Sequence, residues 1–366
     1  MAGVGGLLSG CATTPPAAAP PPMERIVVSA DGRGFAHTPS GRAFVPRGFN
    51  YDHDAEGRLI EEYWDSAWAR VVEDFGEMAA FGANTVRVHL QFGRFMRGPD
   101  EPDPDALDRL AMLLVLAEQK RLYLDLTGLG CYLKNDVPSW YDALTEEARW
   151  QAQARFWSAI AARCAPSPAV FCYDLMNEPV VPGGRRKPGD WLGPPFAGKY
   201  HYVQFITLDL GRRSRPAVAR AWIQRLVTAI REHDARRLVT VGLVDWSLDR
   251  PGLSSGFVPT EVAPELDFLA VHIYPEGGRV DAALETLAGF AVGKLVLIEE
   301  TFPLRCGSDD FRTFLRESEN FAAGWLGFYW GRTPEEYRES PDIKEQLAGA
   351  CIELELEALR RTHAVP

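Results

Sequence analysis

Two apolar runs of this chain end on acidic side chains that a buried strand would not normally carry. A run reading AVFCYDLM stops at Asn177-Glu178-Pro179, and a run reading KLVLIEE ends on Glu299 and Glu300. Glutamate is depleted in strands and is rarely buried without a partner. Carboxyl groups in these places indicate a site in which acids take part in chemistry.

Other apolar runs also end on polar or aromatic residues, namely Arg87 and His89, His272 and Tyr274, and Trp330. Taken singly, each of these residues fits a structural role in a packed protein. Their common position at the ends of strand-like runs is harder to explain by packing alone. If the strands are parallel, their carboxyl ends open on one mouth, and the side chains meet there.

Two carboxyl groups that face one another suggest hydrolysis of a glycosidic bond. One group must be protonated so that it can donate to the leaving oxygen, while the other must be ionised so that it can attack. Arg87 and Tyr274 favour the charged form of a neighbouring carboxylate, so we assign them to a glutamate of the Glu299-Glu300 pair as nucleophile. Glu178 is then the acid and later the base.

The remaining residues of this set receive supporting roles in the same reaction, and His89 is expected to contact the substrate. His272 is expected to hold Glu178 in its orientation and protonation state, and Asn177 is expected to bond the 2-hydroxyl of the sugar. Trp330 is expected to give the sugar ring a flat apolar floor. This scheme requires neither a metal nor a cofactor.

The elements that must position these residues follow a regular rhythm. Eight strand-like runs, most of them followed by a segment of helical period, lie at 43–50, 84–90, 121–128, 169–176, 237–243, 267–274, 294–300 and 324–330. This order predicts a (β/α)8 TIM barrel, preceded by a short N-terminal β-hairpin around Asp31-Gly32. A doubly wound open sheet is the alternative, although no G-x-G-x-x-G motif follows the first strand.

Residues 1–22 differ from the rest, and we predict that the catalytic domain spans 23–366. The segment ends in a Pro/Ala tract, which is typical of an extended spacer. Within it, Leu7-Leu8-Ser9-Gly10-Cys11 resembles the lipobox of bacterial lipoprotein signals, which implies an exported protein with lipid attached to Cys11. No Lys or Arg precedes Arg25, so the positive region of such signals is missing. A disordered tail with an incidental cysteine is the alternative.

Overall charge limits the classes of partner. The net charge is −11 and the sequence pI is about 5.2. This balance argues against binding of nucleic acid and against an anionic membrane surface.

The ordered set of motifs resembles glycoside hydrolase family 5, in clan A of the glycosidases. The matching features are Arg87 on strand two, Asn177-Glu178-Pro179 on strand four, His272-Ile273-Tyr274 on strand six, the strand-seven glutamates, and Trp330 on strand eight. The resemblance implies a retaining mechanism on β-linked glycans of the mannan or glucan type. Cellulase-like members usually carry a histidine at the end of strand three, where this chain has Thr127-Gly128, so the sequence leans towards mannanase-like subfamilies.

Because side chains alternate along a strand, we expect only one of Glu299 and Glu300 to face the mouth. Mannanase-like members read Glu-Glu-Phe-Gly with the second glutamate catalytic, and the local IEETFP also resembles endings in which the glutamate before Thr attacks. Both comparisons select Glu300, with Glu299 as the alternate.

A long loop after strand four carries aromatic residues that could stack on sugars, above all Trp191 and Tyr202, although it could equally serve only to cap the barrel.

Two further functions stay open at this point: a transglycosylase on the same residues, and a surface lipoprotein that binds glycans without cleaving them. The acid and nucleophile pair argues against the second, because a binding protein needs neither.

Overall fold

The computed structural model describes residues 21–363, which form a closed barrel of eight parallel strands. Each strand pairs with its neighbours in the chain, and the eighth strand pairs with the first. In chain order the barrel strands are Arg47–Tyr51, Thr85–Gln91, Tyr123–Gly130, Val170–Asn177, Leu238–Val244, Leu269–His272, Val296–Thr301 and Trp325–Gly327. The predicted (β/α)8 barrel is confirmed, and every predicted run overlaps one barrel strand.

Helices fill the connections and form the outer layer. The longer ones are Trp68–Ala80, Pro104–Lys120, Glu146–Cys164, Arg215–Arg231, Val280–Gly289, Ser308–Ser318 and Ile343–His363. Shorter α-helices are Ile60–Tyr63, Phe92–Phe95, Ser139–Asp142, Pro259–Val262 and Pro334–Glu339, and 3₁₀ turns lie at Lys134–Asp136, Asp245–Leu248 and Ala263–Glu265. Their apolar stripes face the barrel, as Trp222, Leu226 and Ile230 show by being fully buried.

An antiparallel sheet of Arg25–Val28, Phe35–Thr38 and Ala43–Phe44 precedes the barrel. The Phe35 ring lies 5.1 Å from that of Phe171 and 5.2 Å from that of Phe268, at the amino ends of the strands. The predicted run 43–50 is therefore two strands, separated around Pro46. Because this sheet plugs one end of the barrel, a ligand site must lie at the opposite end.

Two small strand pairs lie in the loops. Met96–Gly98 pairs with Glu101–Pro102, and Pro179–Val180 pairs with Gln204–Phe205. The second pair ties the long loop after the fourth barrel strand to the end of that strand.

Cys11 and most of the predicted signal-type segment lie outside the described residues, so the lipid anchor and export stay predictions. Within residues 21–363, no helix has the length and apolarity needed to cross a membrane.

The last helix buries one acid against the barrel. Glu355 is fully buried, and neither carboxyl oxygen has a hydrogen-bond partner among the described residues. Its carboxyl packs so closely on Gly327 of the eighth strand that a side chain at Gly327 would collide with it. Burial raises the pKa of Glu355 well above its usual value. The folded state therefore holds a proton that the unfolded chain releases.

We expect Glu355→Leu to stabilise the protein at pH 8. Because the pKa of Glu355 is higher in the folded state, the wild type loses stability as the pH rises above about 4.3, the usual value for glutamate. Removing the buried acid should raise the free energy of unfolding by about 1–3 kcal/mol at pH 8 and by less at pH 4.5. Urea denaturation at both pH values measures this. Glu353→Leu, which replaces an exposed acid of the same helix, is the control and should show no gain. A Glu355→Leu protein less stable than wild type at pH 8 would contradict the interpretation.

Candidate active site

Glu178 leaves the fourth strand in a conformation that turns its side chain towards the open end of the barrel. Its φ of 47° lies in the left-handed region, which costs a residue with a side chain roughly 1–2 kcal/mol. The backbone N–H of Glu178 donates to the carbonyl of Gly242 on the neighbouring strand at 3.0 Å, which holds this conformation. The Glu178 side chain is 18% exposed, so its carboxyl reaches the cavity at the mouth.

Glu300 lies across from Glu178 and is held by three groups. Arg87 Nη1 donates to Glu300 Oε1 at 2.5 Å, and the Tyr274 hydroxyl donates to Oε2 at 2.6 Å. His272 Nδ1 lies 3.5 Å from Oε2. Burial raises the pKa of the Glu300 carboxyl, while the charges of His272 and Arg87 and the Tyr274 hydrogen bond oppose that rise.

Glu299 also faces the interior, which corrects the expectation that only one of the two glutamates does so. Its Oε2 lies 3.3 Å from Arg87 Nη2 and 3.4 Å from His272 Nε2, and its side chain is fully buried. The pairing register shifts between residues 298 and 301, so the strand has a bulge at these two positions. A bulge interrupts the alternation of side chains, which explains how consecutive residues turn inward.

Arg87 joins the two ends of the site. Fully buried, its guanidinium donates to Asn50 Oδ1 at 3.0 Å and, through Nη2, to Asp174 Oδ2 at 2.7 Å and Asn177 Oδ1 at 3.0 Å. With its contacts to the two strand-seven glutamates, this one cation orients residues from strands one, four and seven. Sequence reasoning missed Asn50 and Asp174, although Asp174 interrupts an apolar run and so gave a signal.

A second acid that the sequence analysis missed lies beneath the site. Asp125 of strand three is fully buried, and burial together with the nearby Glu299 raises its pKa well above the usual value. A protonated Asp125 can donate to Glu299, which otherwise has an unpartnered oxygen among the described residues. Gly242 leaves the room for this cluster, because a Cβ there would lie 3.0 Å from both Arg87 and Glu299.

The two histidines carry different charges. Burial lowers the pKa of His272, but the carboxylates of Glu300, Glu178 and Glu299 outweigh burial and raise this pKa to about 10. The His272 ring is therefore charged at neutral pH. Its Nδ1–H donates to Glu178 Oε1 at 2.9 Å, as predicted for a residue that orients Glu178. Burial and the neighbouring Arg87 hold the pKa of His89 well below its usual value.

His89 is buried and fully engaged within the protein. Its Nδ1 accepts from the Tyr132 hydroxyl at 2.6 Å, and its Nε2 donates to Asn50 Oδ1 at 3.0 Å. The structure therefore places His89 under the site as a support for Asn50, where the sequence analysis predicted a residue that binds substrate.

The structure corrects the predicted role of Trp330. The eighth strand ends at Gly327, three residues before Trp330, whose ring is fully buried between Phe49 and Phe81 at 5.1 and 5.8 Å. A sugar cannot reach it there. The half-exposed Phe328, directly after the strand, is the aromatic residue that stands at the mouth, 6.1 Å from the Tyr202 ring.

The two predicted loop aromatics lie in different places. Tyr202 stands at the mouth, where its carbonyl accepts from Asn177 Nδ2 at 3.3 Å. Trp191 does not reach the site: it is 1% exposed, its indole N–H donates to the Asp142 carbonyl at 3.1 Å, and Arg149 lies over its ring. Its predicted stacking on a sugar is therefore corrected to a structural role inside the loop.

Glu178, His272 and Glu300 come together closely, with one ligand atom of each within 4.8 Å of the other two. Such spacing could also hold a metal ion. A charged His272 opposes coordination, however, because both of its ring nitrogens then carry protons.

A cavity of about 380 Å³ opens beside Glu178, between the ends of strands four to seven. Its volume falls within the roughly 300–1,000 Å³ of small-molecule sites. Besides Glu178, His272 and Tyr274, its lining includes Trp246, Arg250, Glu276, Arg279 and Arg305. Glu178 is thus accessible from this side.

Solved structures with this fold include several glycosidases. The chain matches an exo-β-1,4-mannosidase from Opitutaceae bacterium strain TAV5 (TM-score 0.66, 19% identity), covering 92% of this chain and 62% of that one. An endo-1,4-β-mannanase from Rhizomucor miehei (TM-score 0.62, 16% identity) is matched over 92% of this chain and 99% of that one. The endoglucanase Cel5A catalytic domain of Thermobifida fusca (TM-score 0.58, 14% identity) is matched over 92% of this chain and 97% of that one. At these identities the matches show the fold.

Sequence comparisons are more specific about the family. No curated protein matches the chain significantly in sequence. The family model described as cellulase (glycosyl hydrolase family 5) matches residues 54–285, which is more than half of the chain. That span includes Arg87, Glu178, His272 and Tyr274, the residues that the structure gathers around Glu300. The chain therefore belongs to glycosyl hydrolase family 5.

Proposed function

We propose that this protein is a retaining glycoside hydrolase that cleaves a β-linked glycan of the mannan or glucan type. The observation that carries the proposal is the spacing of Glu178 and Glu300, whose carboxylate oxygens approach within 4.8 Å. Retaining enzymes hold their two carboxyl groups about 5–5.5 Å apart, while inverting enzymes need about 6.5–9.5 Å to admit a water.

The reaction proceeds in two displacements. Glu178 donates its proton to the glycosidic oxygen while Glu300 attacks the anomeric carbon, so that the C–O bond to the leaving group breaks and a glycosyl ester forms. Glu178 then takes a proton from water, which attacks the same carbon and releases Glu300. Retention follows because the carbon is inverted twice.

The neighbours of each acid fit these roles. Arg87 and Tyr274 both donate to Glu300, which supports the carboxylate that attacks and later leaves. His272 donates to Glu178 and keeps it facing the cavity. Asn177 is fixed by Arg87, and its contact with the sugar 2-hydroxyl remains part of the proposal.

Hydrolysis of a panel of 4-nitrophenyl β-glycosides and of β-1,4-mannan and β-1,4-glucan oligosaccharides tests this function. We expect release of 4-nitrophenol, with the first-formed sugar in the β configuration by NMR. We expect mannosides to be preferred, since strand three lacks the histidine typical of cellulase-like members. Binding without cleavage would favour a glycan-binding protein, and glycosyl transfer exceeding hydrolysis would favour a transglycosylase.

We expect Tyr274→Phe to move the acid limb of the kcat/KM profile to higher pH. The nucleophile works only when ionised, so activity falls as the pH drops through the pKa of Glu300, which burial already raises. Loss of the Tyr274 hydrogen bond removes a group that lowers this pKa, which should shift the limb upward by about one pH unit. Tyr173→Phe, which removes a hydroxyl bonded to Asp234 away from the site, should leave the limb in place. A lower rate with an unmoved limb would show that Tyr274 does not act through Glu300.

A further inference from the structure

We propose that this site acts on chain ends: it accepts one sugar on the non-reducing side of the cleaved bond and leaves the rest of the chain in the cavity beside Glu178. This inference rests on the proposed function. It depends on where the mouth is open and where it is closed.

The chemistry fixes which side each part of the substrate occupies. The acid must reach the glycosidic oxygen, so the leaving group lies on the side of Glu178. The sugar that becomes bonded to the enzyme lies over Glu300. A glycan that continued past this sugar would have to run on towards the ends of strands one, two and eight.

That second direction is closed by a wall of aromatic side chains, which we call the glycone wall: His53, Tyr200, Tyr202 and Phe328. The Tyr202 ring stacks at 5.5 Å on that of Tyr200 and meets that of Phe328 at 6.1 Å. The His53 ring lies 5.2 Å from that of Tyr200. The wall stands next to the site, because the Tyr202 carbonyl accepts from Asn177 Nδ2.

The long loop after strand four carries half of this wall across the mouth. The Tyr202 hydroxyl donates to Asp52 Oδ2 at 3.2 Å, and the Tyr200 hydroxyl donates to the Gly57 carbonyl at 2.6 Å, both beyond the end of strand one. The His201 N–H donates to the Tyr132 carbonyl beyond strand three at 2.9 Å. The loop is therefore bonded to the far side of the barrel at several points.

The burial of side chains agrees with a mouth that opens beside Glu178. Four polar residues at the ends of strands one to three are at most 1% exposed, namely Asn50, Asp52, His89 and Thr127, and Gln91 at the end of strand two is 5% exposed. On the other half, Glu178 opens on the cavity of about 380 Å³ with Trp246 in its lining. A site closed on the glycone side and open on the leaving-group side removes sugars singly from an end.

Pentasaccharides labelled with ¹⁸O at the reducing end, of both β-1,4-mannan and β-1,4-glucan, test the inference together with 4-nitrophenyl monoglycosides. We expect unlabelled monosaccharide and labelled tetrasaccharide as first products by mass spectrometry. Hydrolysis of the monoglycosides alone also agrees with this inference, because one sugar on the non-reducing side of the cleaved bond is then enough for cleavage. Unlabelled di- or trisaccharide as a first product would overturn this inference alone. No hydrolysis of any probe would overturn the proposed function, and this inference with it.

A variant of the wall tests its assignment. Tyr202→Ala should open the glycone side and raise the share of internal cleavage by at least about tenfold. Phe205→Ala is the matched control, because this aromatic of the same loop contacts Arg186 instead of the mouth. Thermal unfolding checks that the variants fold, and Phe328→Ala serves in place of an unfolded Tyr202→Ala. A product pattern equal to that of Phe205→Ala would contradict the wall.

Discussion

Glu300→Gln is expected to lower kcat/KM by at least about 10³-fold, because it removes the group that forms the covalent intermediate. The amide has the same size, so the fold should persist. The neutral amide makes a weaker hydrogen bond with Arg87 than the carboxylate does, and the amide is a poor nucleophile. Steady-state kinetics on the preferred 4-nitrophenyl glycoside give the loss, and thermal unfolding confirms that the variant is folded.

Glu299→Gln is the matched control, since it makes the same change at the adjacent residue. Glu299 contacts both Arg87 and His272 but is fully buried, so it supports the charges of the site without reaching the sugar. We expect a much smaller loss than for Glu300→Gln. If the larger loss occurred at Glu299, the assignment of the nucleophile would be wrong.

Glu178→Ala is expected to lower the rate of hydrolysis about 10²–10⁴-fold on substrates with poor leaving groups, because proton donation to the glycosidic oxygen is lost. A 2,4-dinitrophenyl glycoside needs little protonation, so its first step should persist and the glycosyl ester should accumulate. Azide needs no general base, and it should restore turnover by attacking that ester. The product should be a β-glycosyl azide, identified by NMR.

Glu317→Ala, which replaces an acid on the outer helix Ser308–Ser318, controls for effects of azide itself. Its rate should not respond to azide. An α-glycosyl azide, or no response to azide in a folded Glu178→Ala protein, would contradict the role given to Glu178.

Much of the barrel and of the site could be predicted, for physical reasons that particular residues illustrate. The strands are continuous apolar runs because both of their faces are buried, so a polar residue at the end of one stands out. Glu178 follows one such run and His272 and Tyr274 end another, and the fold then brings them together. Asp125 and Asp174 gave a similar signal within their runs.

Two errors arose where the backbone departs from regular geometry. The strand-eight run continues in apolar residues to Trp330, but the strand ends at Gly327, so Phe328 takes the mouth and Trp330 packs outward. The bulge at Glu299 and Glu300 depends on how strand seven pairs with strand eight. Residue types alone do not show either feature.

The glycone wall could not be predicted because it depends on contacts between distant parts of the chain. Tyr202 and Asp52 are 150 residues apart, and the order of residues does not say which way a long loop folds. Trp191 and Tyr202 belong to the same loop and are both aromatic. One is buried against Arg149, while the other borders the site.

The central claim is that Glu300 attacks a sugar held opposite Glu178. Trapping with 2-deoxy-2-fluoro-β-mannosyl and -glucosyl fluorides tests it most directly, because the fluorine slows the second step and lets the glycosyl ester accumulate. Peptide mapping by mass spectrometry then locates the label. We predict one fluoroglycosyl group, attached to Glu300. Attachment to Glu299, or turnover without any labelled peptide and with an α-configured product, would contradict the account.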